Sequence, residues 1–176
     1  MRTRHVGDPE VDISVVLPVY NEAGNLRAFI PELSAMLQGL GRSYEIVAVD
    51  DGSNDDSLAV LRALKHGEPA LRIIHFRRNF GQTAAFAAGF DLSRGIYVVT
   101  MDADGQNDPA DVPRLLQVME EGQYDIVSGW RQDRKEPFLS RRLPSMLANR
   151  IIGGSTGVRL HDYGCSLKIY HRDVAK

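Results

Sequence analysis

Residues 44–65 of the chain read YEIVAVDDGSNDDSLAVLRALK. The first seven form an apolar run that closes at Asp50, with Asp51 directly behind it, and a short run bounded by turn residues is typical of a buried strand. Gly52 and Ser53 begin a polar turn, after which leucines recur three residues apart, as in a helix with one apolar face. The stretch therefore predicts a strand, a turn with acidic side chains and a helix, the unit from which α/β folds are built.

The same order of elements recurs along the chain. Strand-like runs cover residues 13–19, 44–50, 71–76, 96–102 and 124–130. Apolar residues at helical spacing lie between them, at Leu26, Phe29, Ile30, Leu33, Leu37, Leu58, Leu61, Leu64, Val112, Leu115, Leu116 and Met119. Strands that alternate with helices predict an α/β fold with a mainly parallel central sheet and helices on both faces.

A second acidic strand end suggests a function for the first. Asp102 and Asp104 follow the apolar run 96–101, and alternation along an extended chain would point both to the same side. Carboxylate oxygens suit Mg²⁺ or Mn²⁺, and ligands of parallel sheets bind in the crevice beyond the carboxyl ends of the strands. The leading interpretation is a metal-bound diphosphate in such a crevice.

Each acidic segment also has a simpler interpretation. Asp-Ala-Asp-Gly at residues 102–105 is good turn chemistry, and Ser53, Asn54 or Asp55 can cap the helix that follows. Turns and caps account for one or two of these residues, but not for acidic residues at the ends of two strands. The coincidence favours the crevice.

Composition limits the class of protein. With 176 residues, 43% of them hydrophobic, the chain has the size of one ordinary domain, and a single domain over residues 1–176 is predicted. A net charge of −2 gives no basic footprint, so no nucleic-acid partner is expected. Cys165 is the single cysteine, which excludes an intrachain disulfide and fits a reducing compartment. No apolar run approaches the roughly 20 residues of a membrane-spanning helix.

One stretch is basic. Residues 131–150 contain six basic and two acidic residues, a local charge of +4 that leaves −6 on the rest of the chain. Within about residues 138–153, apolar side chains recur at spacings of three and four, at Leu139, Leu143, Met146, Leu147 and Ile151. This segment could lie on an anionic membrane surface, or it could pack its apolar side on the sheet and leave its arginines in solvent. The sequence favours neither.

Five short motifs carry a family resemblance. PVYNE at residues 18–22, DDGS at 50–53 and DAD at 102–104 stand in the order that resembles the family 2 inverting glycosyltransferases. That family has the GT-A fold, a Rossmann-like three-layer α/β sandwich. RNFGQ at 78–82 and DYGC at 162–165 narrow the resemblance to polyprenyl-phosphate glycosyltransferases. The chain most resembles bacterial undecaprenyl-phosphate 4-deoxy-4-formamido-L-arabinose transferases, and more distantly dolichyl-phosphate mannose synthases.

The resemblance implies two sets of binding residues. Those of the nucleotide-sugar donor site are Pro18, Tyr20, Glu22, Asp50, Asp51, Asn79, Gln82 and Asp102, with one carboxylate of the Asp50–Asp51 pair bonding the base or ribose. Those of the Mg²⁺ or Mn²⁺ site are Asp102, Asp104 and Gln106. Asn79 and Gln82 could instead simply cap a helix that begins near Thr83, and the small residues that follow could simply allow close packing on the sheet.

The catalytic residues implied by the resemblance are Asp104, Arg131 and Asp162. Arg131 would clamp a phosphate of the donor or of the acceptor, for which a guanidinium is well shaped. An acceptor phosphate monoester has a second pKa of about 6, so near neutral pH it is already charged enough to attack without a strong base. Asp162 is therefore expected to orient the acceptor, an arginine or the ligands of the metal.

The implied activity is metal-dependent, inverting transfer of a sugar from a nucleotide sugar, with UDP favoured, to polyprenyl (undecaprenyl) phosphate for the cell envelope. The expected place is the cytoplasmic face of the bacterial inner membrane, and a homo-oligomer is left open. Members of the subfamily usually continue into two transmembrane segments beyond the point where this chain ends, at Lys176. We therefore expect a soluble or peripheral fragment with an incomplete acceptor groove.

Alternatives from other classes stay open. One is a truncated, non-catalytic nucleotide-sugar-binding module, and another is a GDP-mannose-using enzyme similar to the dolichyl-phosphate mannose synthases. A phosphorylation receiver domain is also a parallel α/β fold with acids at strand ends. It would carry its acidic pair after the first strand, whereas here a complete strand and helix precede Asp50.

Overall fold

The computed structural model describes residues 11–130, 162 and 164–175. The strands are β1 (Ile13–Val19), β2 (Tyr44–Asp50), β3 (Leu71–His75), β4 (Tyr97–Thr100), β5 (Ile126–Ser128) and β6 (Lys168–His171). The helices are α1 (Ala23–Gly39), α2 (Ser57–Lys65), α3 (Gln82–Leu92), α4 (Val112–Gly122) and α5 (Arg172–Ala175), and a 3₁₀ turn at Pro109–Asp111 precedes α4. Arg131 and the basic segment 138–153 lie outside the described residues. None of the described helices is long and apolar enough to cross a bilayer.

The six strands form one sheet in the order β3-β2-β1-β4-β6-β5. β1 pairs in parallel with β2 and β4, and β2 pairs in parallel with β3. β6 runs antiparallel to both of its neighbours, β4 and β5. The predicted mainly parallel sheet is confirmed, and β1 and β2 begin and end where the sequence places them.

The sequence analysis does not predict β6. Its four residues are too short a run to stand out, and Lys168 pairs with Thr100 on one side and with Ser128 on the other. The strand therefore exists because two strands distant in sequence supply its hydrogen bonds. The other three predicted strands are longer than observed: 71–76 ends at His75, 96–102 shrinks to Tyr97–Thr100 and 124–130 shrinks to Ile126–Ser128.

Helices cover both faces of the sheet. Alternate residues of β1, from Ile13 to Val19, pack with buried residues of α1, α2 and α4 on one face. Val16 lies on the opposite face, in a second apolar cluster with Ala85 of α3. Because both faces are buried, β1 and β2 are apolar almost throughout, as strands of parallel sheets usually are. The three-layer arrangement expected from the sequence is confirmed.

Close packing places α3 on the sheet. A Cβ atom added to Gly89 would lie 2.1 Å from Cγ1 of Val16, so only a residue without a side chain fits there. Ala85 and Gly89 are the buried residues of α3. The small residues of this helix therefore have the packing role that the sequence suggested, and they fix where the first turn of α3 lies.

A buried carboxylate joins the strands at the amino edge of the sheet, opposite the acidic strand ends. Oε1 of Glu45 accepts hydrogen bonds from Oγ of Ser14 at 2.6 Å and from the backbone N of Arg94 at 2.7 Å. Oε2 accepts from the guanidinium groups of Arg72 at 2.8 Å and of Arg94 at 2.9 Å. Burial raises the pKa of Glu45, but these hydrogen bonds outweigh burial and hold the pKa below its ordinary value.

Replacing Glu45 by glutamine is expected to lower the free energy of unfolding at pH 7 by about 1.5 to 3 kcal/mol, since hydrogen bonds to a charged group are lost. The lowered pKa means that this stabilisation is complete above the unfolded-state pKa of about 4.3 and is lost as the pH falls through the folded-state pKa. Urea denaturation of both proteins between pH 3 and 7 measures the difference. Glu32→Gln, on the exposed side of α1, is the control. A difference that stayed constant down to pH 3 would contradict the assignment.

Candidate functional site

A cleft of about 410 Å³ opens at the carboxyl edge of the sheet. Its lining residues are Pro18, Val19, Tyr20 and Glu22 from the end of β1 onward, Asp51 after β2, Asn79, Gly81 and Gln82 at the start of α3, and Asp102, Ala103 and Asp104 after β4. Parallel strands bring these four segments together because their carboxyl ends meet at one edge. The cleft lies where the sequence predicts the crevice.

Most of the predicted donor and metal residues come together here. Those that line the cleft are Pro18, Tyr20, Glu22, Asp51, Asn79, Gln82, Asp102 and Asp104. Asp50, Gln106 and Asp162 are not among the lining residues. Arg131 lies outside the described part of the chain, so its phosphate-binding role stays a prediction.

The cleft is acidic. Four of its lining residues are carboxylates, Glu22, Asp51, Asp102 and Asp104, and none of the lining residues that the structure describes is basic. A diphosphate brought to these carboxylates would be repelled, because like charges a few ångströms apart interact unfavourably even at a protein surface. A divalent cation would reverse that balance.

Asp50 is a predicted donor residue that does not line this cleft. Its side chain is fully buried, Oδ1 accepts a hydrogen bond from the backbone N of Ser53 at 3.1 Å, and Oδ2 lies 2.8 Å from Nδ1 of His75. A carboxylate enclosed in this way does not face the cleft, and the donor contact predicted for Asp50 stays a prediction. The aspartate of the pair that faces the cleft is Asp51.

Asp51 fastens the loop before α3 to the end of β2. Its Oδ1 accepts a hydrogen bond from the backbone N of Phe80 at 2.7 Å, and its Oδ2 accepts from the backbone N of Gly81 at 2.9 Å. Each carboxylate oxygen has a second lone pair, so Asp51 can still accept from a ligand. Asp51 therefore holds the loop before α3, which forms one wall of the cleft, and its own side chain lines the cleft as well.

The loop after β1 is fastened to the turn after β2. The backbone N of Asn21 donates to Oγ of Ser53 at 3.0 Å, and Oδ1 of Asn21 accepts from the backbone N of Asn54 at 2.9 Å. The backbone N of Glu22 donates to Oγ of Ser57 at 2.8 Å. Asn21 has φ of 59°, a left-handed conformation that asparagine tolerates. The two cleft residues on either side of Asn21 are thereby held in place.

Asp55 accepts hydrogen bonds at the start of two helices, α1 and α2. Its Oδ1 accepts from the backbone N of Ser57, the first residue of α2, at 2.9 Å, and its Oδ2 accepts from the backbone N of Ala23, the first residue of α1, at 3.2 Å. Desolvation raises the pKa of Asp55, but the hydrogen bonds from Ser57 and Ala23 outweigh it and leave the pKa below its ordinary value. Asp55 thus accepts from the first backbone N–H of two helices, although the residue at the N-cap position of α2 is Asp56.

Asp102 and Asp104 lie in the loop after β4. Oδ1 of Asp102 accepts from Nε2 of Gln82 at 2.7 Å, and Oδ1 of Asp104 accepts from the backbone N of Gln106 at 2.9 Å. Gln82 is the first residue of α3 and its side chain makes no capping bond, so the capping interpretation is wrong for this residue. Gln106 contacts Asp104 only through its backbone in these bonds and does not line the cleft, and its predicted place in the metal site stays a prediction.

Two carboxylates fit a divalent cation as part of its set of ligands. Within the described residues there is no group of three His, Cys, Asp or Glu side chains that could hold a metal ion on its own. Mg²⁺ in proteins is usually bound by one or two carboxylates together with water and phosphate oxygens of the substrate. Asp102 and Asp104 therefore fit a metal that is shared with a diphosphate.

The segment before β6 lies beside the end of β4. Asp162 is buried, and its Oδ1 accepts from the backbone N of Gly164 at 3.1 Å, as in a tight turn. Oγ1 of Thr100 donates to the carbonyl oxygen of Ser166 at 2.7 Å, and Nδ2 of Asn107 donates to Oγ of Ser166 at 2.7 Å. These contacts bring the segment to the edge of the sheet that carries the cleft, while the predicted catalytic role of Asp162 stays a prediction.

Sequence reasoning missed His75 and Asn21. His75 is the last residue of β3 and pairs in register with Asp50, a relation that no linear motif shows. Asn21 stands between two residues that the motif did select, Tyr20 and Glu22. Its signal was its residue type, since asparagine is one of the few residues that tolerate the left-handed conformation.

Known proteins are similar to this chain in sequence and in fold. The model of the family described as "Glycosyl transferase family 2" matches residues 14–176. Dodecaprenyl-phosphate galacturonate synthase of Rhizobium johnstonii is 43% identical in an alignment that covers 98% of this chain and 52% of that protein. Undecaprenyl-phosphate 4-deoxy-4-formamido-L-arabinose transferase of Pseudomonas aeruginosa (strain LESB58) is 45% identical over 93% of this chain and 48% of that protein. The chain spans about half the length of the curated relatives it matches.

Solved structures are similar over nearly the whole chain. Glucosyl-3-phosphoglycerate synthase of Mycobacterium tuberculosis, in complex with Mn²⁺, UDP-glucose and phosphoglyceric acid, has a TM-score of 0.72 at 21% identity, over 93% of this chain and 57% of that one. A mannosyltransferase of Pyrobaculum calidifontis, in complex with GDP-Man and Mn²⁺, has a TM-score of 0.66 at 17% identity, over 94% of this chain and 46% of that one. At these identities the likeness shows the fold alone, which is the expected GT-A fold. Since the family model covers all but the first 13 residues, the chain belongs to glycosyl transferase family 2.

Proposed function

We propose that this chain carries the donor site of an inverting glycosyltransferase that moves a sugar from a nucleotide sugar, with UDP favoured, to a polyprenyl phosphate. The observation that carries the proposal is the acidic cleft at the carboxyl edge of the sheet, to which four separate segments contribute. The names of the similar proteins from Rhizobium and Pseudomonas, which include dodecaprenyl phosphate and undecaprenyl phosphate, support the acceptor class.

In this proposal the nucleoside lies between the loop after β1 and Asp51. Tyr20 offers an aromatic ring and a hydroxyl, and its Oη lies 3.5 Å from Nδ2 of Asn54. Glu22 and Asp51 offer carboxylate oxygens that can accept from ribose hydroxyls or from an N–H of uracil. Pro18 and Asn79 complete this end of the cleft.

The diphosphate lies at the other end of the cleft, where Asp102 and Asp104 hold Mg²⁺ or Mn²⁺. A metal bound there neutralises negative charge on the departing nucleoside diphosphate. Gln82 fixes the orientation of Asp102 through the hydrogen bond from its Nε2, at 2.7 Å. The side chains therefore serve the reaction by position and charge.

The chemical step is a single displacement at the anomeric carbon. An oxygen of the acceptor phosphate forms the new bond to that carbon while the bond to the diphosphate oxygen breaks, which inverts the configuration. A phosphate monoester needs no strong base, because its second pKa is about 6. In the proposal Arg131 binds a phosphate, and Asp162 orients the segment before β6 beside the acceptor.

The acceptor sets the location. A polyprenyl phosphate is anchored in a bilayer, so we place the protein at a membrane surface, on the cytoplasmic face of the bacterial inner membrane. The basic segment 138–153 is the proposed contact with that surface, since positive side chains are attracted to anionic lipids. In the proposal the described cleft binds the sugar donor, and the basic segment brings the protein to the membrane that holds the lipid acceptor.

Titration calorimetry of the chain with UDP and, separately, with GDP tests the donor site. We expect UDP to bind in the presence of Mn²⁺ and to bind at least about tenfold more weakly without it, because the acidic cleft then repels the diphosphate. GDP should bind more weakly than UDP. Circular dichroism establishes that the titrated protein is folded.

Three results would change the proposal. Preferential binding of GDP would replace the UDP donor by a guanosine nucleotide, as in the dolichyl-phosphate mannose synthases. A folded chain that bound neither nucleotide would overturn the donor site. A protein that bound UDP but did not transfer sugar to undecaprenyl phosphate in vesicles would be a binding module.

A further inference from the structure

The turn at residues 50–53 connects two walls of the cleft, the loop after β1 and the loop before α3. Oγ of Ser53 accepts a hydrogen bond from the backbone N of Asn21 at 3.0 Å and so holds the loop after β1. Asp51 accepts the backbone N–H groups of Phe80 and Gly81 and so holds the loop before α3. A change in the conformation of this turn would therefore displace both walls between which the nucleoside is proposed to bind.

The turn is organised from inside by Asp50. Its Oδ1 accepts from the backbone N of Ser53 at 3.1 Å, which closes the turn around Gly52. The carboxylate is completely buried, and a buried carboxylate is costly unless each oxygen has a hydrogen-bond donor. The donor for Oδ2 among the described residues is the ring of His75, whose Nδ1 is 2.8 Å away. Because an ionised carboxylate can only accept, this hydrogen bond to such a carboxylate requires the proton on Nδ1.

We propose that His75 is a positioning residue for nucleotide binding, which acts through Asp50. The path has three hydrogen bonds: His75 to Asp50, Ser53 to Asp50, and Asn21 to Ser53. His75 does not line the cleft, and its side chain is 42% exposed, so it affects a bound nucleotide through this path. The proposal rests on the proposed function, because it concerns the same donor site.

Position in the sheet explains why a histidine can do this. His75 ends β3 in register with Asp50, the last residue of β2, so the ring reaches the carboxylate across one strand spacing. The backbone N of Phe76 also donates to the carbonyl oxygen of Asp50, at 2.9 Å. The end of β3 thus holds both the backbone and the side chain of Asp50 and keeps the start of the turn rigid.

Three variants of His75 test the proposal by titration with UDP, with and without Mn²⁺. His75→Ala removes the donor and is expected to weaken UDP binding about tenfold, the effect of losing a hydrogen bond to a charged group. The loss should be the same with and without Mn²⁺, because the path ends at the nucleoside end of the cleft. His75→Asn places an amide N–H at the same number of bonds as Nδ1 and should restore the affinity. His75→Gln places it one bond farther and should not.

His66→Ala is the matched control, since His66 is an exposed histidine just after α2, outside the lining of the cleft. All proteins are compared at a temperature at which circular dichroism shows them folded. Equal affinity of wild type and His75→Ala, or equally weak binding of the Ala and Asn variants, would overturn the positioning role. If the wild type bound neither UDP nor GDP, the proposed function itself would be overturned.

Discussion

Replacing Asp102 and Asp104 together by asparagine is expected to abolish the metal-dependent part of UDP binding. Asparagine has nearly the same shape and can still accept from Gln82, but it is neutral and a poor ligand for a hard cation. In the presence of Mn²⁺ the affinity for UDP should fall about a hundredfold or more, which corresponds to about 2.7 kcal/mol. Titration calorimetry with and without Mn²⁺ measures both affinities.

The result without metal separates loss of a metal site from damage to the cleft. The double variant has two fewer negative charges in the lining, so without Mn²⁺ it should bind the UDP diphosphate at least as tightly as the wild type does. Asp108→Asn with Asp111→Asn is the control, because it makes the same change in charge a few residues away, outside the lining. Retention of Mn²⁺-dependent affinity by the Asp102 and Asp104 variant would remove these residues from the metal site.

Replacing Gly52 by alanine should both destabilise the fold and weaken nucleotide binding. Gly52 has φ of +67°, and a Cβ atom there would lie 2.3 Å from the carbonyl carbon of Arg78. The obstacle is backbone, so it cannot rotate away, and the loop that Asp51 holds must shift. We expect a loss of about 2 to 4 kcal/mol in the free energy of unfolding, from backbone strain and the steric overlap together. Urea denaturation measures the loss, and UDP affinity should fall in parallel.

Gly41→Ala is a matched control for this prediction. Gly41 has φ of +64°, almost the same backbone conformation, but a Cβ atom there would meet nothing within 4 Å. Its replacement should therefore cost only the strain of the left-handed conformation, about 1 kcal/mol, and leave UDP affinity unchanged. Equal losses of stability in the two variants would show that the contact between Gly52 and Arg78 contributes nothing.

Whether a strand could be predicted from the sequence depends on its position in the sheet and on which strands pair with it. β1 and β2 are central, buried on both faces and apolar almost throughout, so their pattern marks both ends. β5 lies at the edge of the sheet and keeps only Ile126–Ser128, because its one described neighbour, β6, has four residues to pair with. β6 itself is inserted between β4 and β5, and no local pattern shows an insertion of this kind.

A sequence motif shows which residue types are present near the site, but it does not show which way each side chain points. The motifs correctly placed Asp51, Asp102 and Asp104 at one cleft. They could not distinguish Asp50 from Asp51, because adjacent residues of the same type look alike in sequence while their side chains face different surroundings. Gln106 shows the same limit, since its sequence position is close to the cleft but its side chain does not line it.

The sequence by itself determined the α/β class, the central strands, the helical faces and the carboxylates at two strand ends. These features depend on periodicity and residue type, which act over a few neighbouring residues. Tertiary structure alone decided that β6 lies between β4 and β5, that Asp50 is buried against His75 and that Asp51 holds the loop before α3. These contacts join residues 25 or more positions apart, and which of them form depends on how the whole sheet packs.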